Sequence, residues 1–350
     1  MNFTASVLCH ERANEKEFPF PSVFAHQRPR SRRTVDWWLA ASVERAGGRS
    51  EWRRQVESTI ERIAPHIVHA HFGPIGCELV PTTTAMGIPL ITSLYGVDAA
   101  VLPRLPRWRK AYERLFREGD RFLAEGPEMR KMIVAAGAPA TRTDLQPIAI
   151  DLDKYPCWAP DIRPMVLFVG RFVEKKGLLD AVEAFARARA SVKDARLVVI
   201  GDGPEGTKAR KAVSRLGLSD AVEFAGMRSH REVIAHLRVA RAVIHPSVVA
   251  EDGDSEGGAP TILLEAQAIG TPIVTTRHAD IPNVVPRGPG VFHCEEHDVD
   301  GLGHALVSAL VQGEAVSASY VAAHHDVRRA VPALERCYRR IIQARTRAAV

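Results

Sequence analysis

The chain has 350 residues, of which 46% are hydrophobic and 25% charged, and its formal net charge is +6. This globular composition excludes a disordered chain, a collagen and a coiled coil. The charge excess is small against 47 basic and 41 acidic residues, so nucleic acid is not an expected partner. No apolar run approaches the ~18 residues of a membrane helix, and the first residues do not read as a signal peptide.

Short apolar runs alternate with longer helical patterns along the chain, which predicts parallel sheets with helices on both faces. The runs that read as strands are Ser6–Leu8, Ile67–Ala70, Pro89–Ser93, Arg121–Ala124, Met165–Val169, Arg196–Ile200, Ala221–Phe224, Ala242–His245 and Pro272–Thr275. Prolines interrupt regular structure between Asp151 and Pro164. The prediction is therefore two doubly wound domains joined by a short linker, with the ligand site in the cleft between them.

The spacing of the cysteines indicates whether they form a metal site or disulfides, and from this the cellular compartment can be predicted. The five cysteines form no CxxC pair and are scattered at Cys9, Cys77, Cys157, Cys294 and Cys337. That spacing indicates neither a zinc site nor a disulfide framework, so we expect reduced thiols and a cytoplasmic protein.

The first half offers candidate side chains at two strand ends. His69 and His71 alternate along one strand, and His71 is the better candidate for the cleft because a loop follows it directly. Tyr95 and Asp98 follow the next strand, where cleft-facing and structural roles are equally open. Two basic clusters, Arg28, Arg30, Arg32, Arg33 and Arg104, Arg107, Arg109, Lys110, read first as solvated faces. Contact with anionic lipid headgroups or an anionic acceptor is the alternative.

The segment Met165–Gly177 places cations directly after a buried strand. Arg171, Lys175 and Lys176 follow Gly170. Cations at the carboxyl end of a parallel strand can neutralise a phosphate, while a solvated charged turn is the alternative.

The segment Leu197–Gly206 contains a literal GxGxxG, with Glu223 about twenty residues further on. On paper this is a dinucleotide site. However, Pro204 removes an amide that a pyrophosphate would use, and the motif does not open its half of the chain. A tight glycine turn lining the cleft is the favoured interpretation.

The segment Asp252–Ala268 combines acids, glycines and a helix start. Small residues and free amides before a helix can receive an anion, and carboxylates can accept paired sugar hydroxyls. Glu256 lies in this loop, and Glu265 lies within an apolar helix that gives a charged residue no obvious packing role. The EF-hand pattern fails because its last ligand position is Leu263, and nothing nearby completes an oxygen shell for a metal.

Together these motifs resemble the family-4 retaining glycosyltransferases of the GT-B fold, and most of all the bacterial colanic-acid and exopolysaccharide transferases. The resemblance rests on Gly170-Arg171-Phe172, Lys175-Lys176-Gly177, Gly201-Asp202-Gly203-Pro204, Phe224-Ala225-Gly226, His245-Pro246-Ser247, Glu256-Gly257 and Leu264-Glu265-Ala266, with FLAEGPEM and VLCHERANEKEFPF in the first half. It implies two Rossmann-like doubly wound α/β domains facing a cleft. The corresponding division is an acceptor-side domain at 1–158, a nucleotide-sugar domain at 159–325 and a C-terminal helix at 326–350 that packs back on the first domain.

The resemblance also implies roles for the site. Arg171 and Lys176 would hold the donor diphosphate, Glu265 the ribose hydroxyls, and Glu256 with the following amides the donor sugar. The acceptor, a saccharide or lipid-linked saccharide, would approach near His71 and Tyr95. The implied set is catalytic Glu256, His71 and Tyr95, and donor-binding Gly170, Arg171, Lys176, Gly201, Gly203, Gly257, Gly258, Ala259 and Glu265. Transfer would retain anomeric configuration and need no metal or other cofactor.

Three departures from the family pattern accompany the resemblance. Eight residues separate Glu256 from Glu265 instead of seven, and Tyr95 stands where a histidine is usual. The sequence also begins at what would be the second strand, so the N-terminal domain is expected to lack its first strand. This leaves an inactive truncated paralogue that only binds sugar nucleotides as one alternative. An NAD-dependent oxidoreductase is the other. Peripheral contact with the inner membrane is a further expectation.

Overall fold

The computed structural model describes residues 3–9, 11, 19–26, 51–161 and 164–348. The basic cluster formed by Arg28, Arg30, Arg32 and Arg33 lies outside these residues. By its internal contacts the chain divides into two compact units. The smaller comprises the described residues within 1–68, 81–89 and 338–350, and the larger those within 69–80 and 90–337. The domain boundary expected at 158/159 stays a prediction.

The smaller unit contains two short strands and an amphipathic helix. Strands β1 (Val7–Cys9) and β2 (Val23–Ala25) pair in parallel. Helix α1 (Glu51–Ile63) buries an apolar stripe formed by Trp52, Val56 and Ile60. The ring of Tyr338 meets the ring of Phe3 edge-on, with centroids 5.7 Å apart.

A four-stranded sheet, called here the first sheet, has the strand order β3-β4-β5-β6. Its elements are β3 (Val68–His71), α2 (Gly73–Ala85), β4 (Leu90–Ser93), α3 (Gly96–Ala100), α4 (Pro106–Glu118), β5 (Arg121–Ala124), α5 (Pro127–Ala135) and β6 (Thr143–Leu145). Strand β5 pairs in parallel with β4 on one side and with β6 on the other. The carboxyl ends of these strands therefore meet at one edge.

A six-stranded parallel sheet, the second sheet, has the order β12-β11-β10-β7-β8-β9. Its elements are β7 (Met165–Val169), α6 (Leu178–Ser191), β8 (Arg196–Ile200), α7 (Gly206–Arg215), β9 (Val222–Gly226), α8 (His230–Val239), β10 (Ala242–His245), α9 (Thr261–Ile269), β11 (Ile273–Thr276), α10 (Ile281–Val284), β12 (Val291–Cys294) and α11 (Val299–Gln312). The strand order reverses between β7 and β10. In doubly wound sheets, ligands bind beyond the strand ends at this switch point.

Both faces of the second sheet are covered over its central strands, which explains why β7, β8, β10 and β11 are apolar without regular alternation. In β7, Val166 and Phe168 pack into a core with Phe185 on one face. Leu167, between them, packs on the opposite face with Leu263 of α9. A strand buried on both sides needs apolar residues at every position, and the sequence of β7 supplies them.

Hydrogen bonds fix the segment that joins the two sheets near both of its ends. Trp158 donates its indole N–H to the carbonyl oxygen of Ala240 at 2.7 Å. Ile150 donates its amide to the carbonyl of His325 at 2.8 Å and accepts from the amide of Val327 at 3.1 Å. Two further helices follow the second sheet, α12 (Ser319–His324) and α13 (Val327–Ala348). Among the described residues, no helix has both the length and the apolar character needed to cross a bilayer.

Candidate active site

The glycines after β7 and β8 let two loop backbones touch at the switch point. Gly201 has φ of +136°, and a side chain there would collide with the carbonyl oxygen of Gly170. A Cβ on Gly203 would lie 2.7 Å from the carbonyl oxygen of Phe172. Close packing of backbone on backbone thus accounts for the GxGxxG without a dinucleotide. The donor-binding roles of Gly170, Gly201 and Gly203 stay predictions.

An ion pair lies at the mouth of the second sheet. Lys176 belongs to a short 3₁₀ turn after β7, and Glu256 belongs to the loop between β10 and α9. The Lys176 Nζ atom lies 2.7 Å from Glu256 Oε1, and the side chains are only 13% and 10% exposed. The hydroxyl of Ser247 donates to the same oxygen at 3.1 Å. Two of the four charges predicted to form the donor site are therefore in direct contact.

Glu256 is held in its ionised form. Burial by itself would raise the pKa of Glu256, but the neighbouring His245 and the Lys176 ammonium outweigh burial and hold the pKa well below its ordinary value. His245 Nε2 lies 3.8 Å from Glu256 Oε1, and the ring is 1% exposed and stacks on Phe168. Glu256 therefore remains an acceptor for hydroxyl groups at neutral pH.

Lys175 and Arg171 differ in the partners they already have. The ammonium of Lys175 is buried and donates to Asp254 Oδ1 and to the carbonyl of Ser255, both at 2.9 Å. Lys175 therefore fixes the loop and is not available to a phosphate. Arg171 is exposed, and its guanidinium makes no hydrogen bond or ion pair with any other described residue. Of these two cations, Arg171 is the one left for an anionic ligand.

The glycine-rich loop after Glu256 packs against loops of the first sheet. A Cβ on Gly257 would lie 2.7 Å from the backbone nitrogen of Gly96, at the start of α3. A Cβ on Gly258 would lie 2.7 Å from Cβ of Glu125, which follows β5. Ala259, the next residue, borders the core below the loop. Because Gly257 and Gly258 have no side chains, this loop can pack closely against the loops of the first sheet. A donor role for the amides of Gly257–Ala259 stays a prediction.

Glu265 is buried in α9 and has its own partners. His230 Nε2 lies 3.0 Å from Glu265 Oε1, and the Tyr155 hydroxyl donates to the same oxygen at 3.4 Å. Burial raises the pKa of Glu265, while His230 lowers it in part. Neither His230 nor Tyr155 was found by sequence reasoning. Tyr155 lies in the linker, where no periodic pattern marks it.

His71 and Tyr95 form a pair at the ends of β3 and β4. His71 Nδ1 lies 2.6 Å from the Tyr95 hydroxyl. His69 stacks on His71, with ring centroids 4.6 Å apart, and burial lowers the pKa of His69 to about 4. Burial also lowers the pKa of His71, so both imidazoles are neutral at pH 7. Burial raises the pKa of Tyr95 to about 12, so its phenol keeps its proton.

Asp98 takes the structural role that the sequence left open. Its buried carboxylate accepts from the amide of Gly73 at 2.7 Å and from the amide of Tyr95 at 2.9 Å. One side chain thus fixes the loop after β3 and the turn that carries Tyr95. Asp98 supports the site and does not line it.

Two acidic residues that the sequence did not single out lie near the glycine-rich loop. Burial, together with the charges of Asp98, Glu256 and Asp280, raises the pKa of Glu125 to about 8, although the Gly258 amide acts against this. Asp280 follows β11 and accepts from the amides of Glu128 and Met129 at the start of α5, both at 3.0 Å. An aspartate of the second sheet's loops thereby caps a helix of the first sheet.

The structure thus brings Lys176, Glu256 and Gly170 together and pairs His71 with Tyr95. It places Glu265 in a separate cluster with His230. Within the part of the chain that the structure describes, no three His, Cys, Asp or Glu side chains are arranged to ligate a metal.

Comparison with known protein families shows to which class of proteins the chain belongs. The model of "Glycosyltransferase Family 4" matches residues 2–154, and the model of "Glycosyl transferases group 1" matches residues 163–312. The chain belongs to the family-4 glycosyltransferases. This membership favours the glycosyltransferase interpretation of the cleft over the oxidoreductase interpretation of Gly201–Gly206.

Two relatives of this glycosyltransferase are named for the biosynthesis of bacterial polysaccharides. It is 29% identical over 280 residues to the putative colanic acid biosynthesis glycosyltransferase WcaL of Salmonella typhimurium, covering 77% of this chain and 68% of the relative. It is 30% identical over 228 residues to the amylovoran biosynthesis glycosyltransferase AmsK of Erwinia amylovora, covering 64% of this chain and 56% of the relative.

Solved structures show the same fold. Anabaena HepE, in complex with UDP and glucose, superposes with a TM-score of 0.73 at 17% identity, covering 92% of this chain and 87% of that one. Sucrose-phosphate synthase from Thermosynechococcus elongatus superposes with a TM-score of 0.69 at 17% identity, covering 84% and 78%. This glycosyltransferase therefore has the GT-B fold, as the sequence predicts.

Proposed function

We propose that this glycosyltransferase moves a sugar from a nucleotide-diphosphate-sugar donor to a saccharide or lipid-linked saccharide acceptor in exopolysaccharide synthesis. Two kinds of similarity support the proposal. The relatives WcaL and AmsK are named for colanic acid and amylovoran biosynthesis. The structural neighbour HepE is described in complex with UDP-glucose and with UDP and glucose.

The observation that carries the proposal is the Lys176–Glu256 pair at the switch point of the second sheet. A cation and an ionised carboxylate, 2.7 Å apart, stand where doubly wound sheets bind ligands. The cation suits a diphosphate and the carboxylate suits sugar hydroxyls. A donor that carries both groups can satisfy Lys176 and Glu256 at once, with Arg171 as a second cation.

The proposed chemistry is electrostatic. When the bond between the sugar and the diphosphate breaks, negative charge grows on the diphosphate, and Lys176 and Arg171 stabilise that charge. In this proposal the cations do what a bound metal does in other transferases, so transfer needs no metal and no other cofactor. Glu265 holds the ribose, and the acceptor lies on the side of His71 and Tyr95. The product retains the anomeric configuration of the donor.

The test is a transfer assay with a panel of UDP- and GDP-sugars and saccharide acceptors, with and without EDTA. We expect transfer that EDTA leaves unchanged, a product anomer that NMR shows to match the donor, and loss of transfer in the Arg171→Ala/Lys176→Ala variant. A product of inverted configuration would exclude retention. Nucleotide binding without transfer to any acceptor would favour the inactive paralogue.

We further propose a cytoplasmic location with peripheral contact at the inner face of the plasma membrane. Four exposed cations at the start of α4 and just before it support this contact: Arg104, Arg107, Arg109 and Lys110. Such cations attract anionic headgroups. We expect flotation with vesicles that contain phosphatidylglycerol and none with vesicles of phosphatidylcholine alone. Substitution of the four residues by glutamine should abolish flotation, and unchanged flotation would exclude this surface.

A further inference from the structure

His278, which follows β11, sits directly behind the loop that carries Glu256. The residue is 2% exposed. Its Nε2 atom lies 3.2 Å from the backbone nitrogen of Glu256 and 3.0 Å from the hydroxyl of Ser255. Its Nδ1 atom lies 2.7 Å from Glu296 Oε1, just beyond β12. The imidazole therefore connects the backbone of Glu256 to an acid on a neighbouring loop.

These contacts fix which ring nitrogen carries the hydrogen. A backbone amide can only donate, so Nε2 of His278 must be unprotonated to accept from Glu256. The hydrogen then sits on Nδ1 and is donated to Glu296. A carboxylate that takes the hydrogen of one nitrogen selects the tautomer in which the other nitrogen accepts. Glu296 thus keeps His278 in the form that can hold the Glu256 amide.

Glu296 also holds the other end of the same loop. Its second oxygen, Oε2, accepts from the amide of Val249 at 2.9 Å. The loop between β10 and α9 is therefore attached near its start by Glu296 and at Glu256 by His278. Lys175 adds a third attachment, at Asp254 and the carbonyl of Ser255. Lys175 does not touch Glu256 itself.

We propose that His278, oriented by Glu296, is a positioning residue that holds Glu256 where it meets the donor sugar. This inference rests on the proposed function, because it takes Glu256 as a donor contact. The hydrogen-bonded series Ser255, His278 and Glu296 has the same residue types as a serine-histidine-acid catalytic triad. However, Ser255 is itself buried, and its hydroxyl is also within 3.0 Å of the carbonyl of Glu256. Both features fit support of the loop and do not fit a nucleophile.

The positioning role predicts a split between the two parts of the donor. Loss of the imidazole frees the Glu256 backbone, and a misplacement of ~1 Å can cost about 100-fold in rate. Lys176 and Arg171 do not touch His278, so binding of the diphosphate part should be unaffected. We therefore expect His278→Leu to lower sugar transfer by about 10- to 100-fold while UDP and GDP alone bind as tightly as in the unchanged chain.

The experiment compares His278→Leu, His278→Gln and the control His293→Leu. His293 lies in β12 of the second sheet and is partly buried, and among the described residues its ring bonds to the carbonyl of Val285 alone. Transfer kinetics are measured with the donor found active in the sugar panel, and UDP and GDP binding by calorimetry. Glutamine places an amide oxygen near the position of Nε2, so it should restore most of the transfer lost in His278→Leu. His293→Leu should leave both readouts unchanged.

Each outcome decides a different point. Transfer unchanged in His278→Leu overturns the positioning role while leaving the proposed function intact. Equal loss of transfer and of nucleotide binding also overturns it, because that is the result of a general structural defect. No nucleotide binding by the unchanged chain overturns the proposed function itself. Nitrogen NMR of the ring, assigned by its disappearance in His278→Gln, gives an independent check, since a hydrogen on Nε2 contradicts the inferred tautomer.

Discussion

Two glutamates near the glycine-rich loop, one buried and one partly buried, have opposite electrostatic surroundings. Glu256, in the loops of the second sheet, lies 2.7 Å from a lysine ammonium, and its pKa is held low. Glu125, in the loops of the first sheet, is partly buried, and burial together with the nearby charges of Asp98 and Asp280 raises its pKa to about 8. At pH 7, Glu256 is therefore ionised and Glu125 is mostly protonated, although both are glutamates.

Under the proposed function, this difference would suit the two sets of loops to different ligands. The loops of the second sheet supply cations and can receive a charged diphosphate. Those of the first sheet supply neutral groups: the imidazole of His71, the phenol of Tyr95 and the protonated carboxyl of Glu125. Neutral donors and acceptors suit hydroxyl groups of an uncharged saccharide. This contrast is consistent with donor binding at the second sheet and acceptor binding at the first.

Removal of the Lys176 ammonium from the loops of the second sheet should have the largest effect on sugar transfer. We expect Lys176→Ala to reduce transfer by about 100- to 1,000-fold, because it removes one of the two charges proposed to stabilise the leaving diphosphate. Steady-state kinetics with the active donor measure the loss. Lys193→Ala removes an exposed lysine of the same domain and should change nothing.

A second variant separates catalysis from folding. Lys176→Ala leaves Glu256 buried without its cation, which also destabilises the fold. In Lys176→Ala/Glu256→Gln both charges are gone, so the stability should recover while transfer stays low. Recovery of transfer in the double variant would show that Lys176 serves only to neutralise Glu256.

The protonated glutamate should appear as a pH dependence of stability. With a folded pKa of about 8 and an unfolded value near 4.3, Glu125 takes up a proton on folding between these pH values. The free energy of unfolding should therefore fall as pH rises through this window, by at most about 1.4 kcal/mol per pH unit. The glutamine of Glu125→Gln does not titrate, so it should contribute no pH dependence to the free energy of unfolding.

Urea denaturation from pH 5 to pH 9 measures this effect as the difference between Glu125→Gln and the unchanged chain. Glu113→Gln, an exposed glutamate of α4, is the matched control and should follow the unchanged chain. Parallel curves for Glu125→Gln and the unchanged chain would mean that Glu125 is ionised like an ordinary carboxyl.

Substitution of Glu265, the residue proposed to bind the ribose, should have a smaller effect on transfer. Glu265→Gln retains the size of the side chain but loses one acceptor, and we expect a rise of about 10-fold in donor KM with kcat little changed. The matched control is Glu223→Gln, which removes the acid that a dinucleotide site would use. A large effect at Glu223 with none at Glu265 would reverse the assignment of the nucleotide to α9.

Much of the fold follows from strands that are buried on both faces. Strands β7, β8 and β10 begin and end at the predicted residues, because each is a short, nearly continuous apolar run of the kind that a strand covered on both faces requires. Strands β2, β6 and β12 are not among the predicted strands. Strands β2 and β6 have only three residues each, Leu145 at the end of β6 is half exposed, and the first three residues of β12 are only partly buried, so the apolar signal of each is weak.

The candidate site divides in the same way. Lys176 and Glu256 could be predicted because motifs and strand ends mark them. Asp280 and His278 could not, because each acts on a partner elsewhere in the chain. Asp280 contacts amides 151 and 152 residues away in sequence. Periodicity reports which face of its own element a residue occupies, not which loop lies opposite.

Asp280 provides the smallest predicted effect. Its carboxylate accepts from the amides of Glu128 and Met129, and a Cβ on Gly126 would lie 2.7 Å from its Oδ1 atom. Asp280→Ala leaves two helix-start amides without an acceptor, so we expect the free energy of unfolding to fall by about 1 kcal/mol. Asp298→Ala is the matched control, because Asp298 caps α11 within its own domain through the amide of Gly301 at 2.9 Å. Both variants should lose similar stability in urea, but only Asp280→Ala should speed hydrogen exchange of the amides that open α5, because Asp280 bonds to these amides whereas Asp298 bonds to the start of α11. Equal exchange at α5 in the two variants would mean that this cap does not link the two sheets.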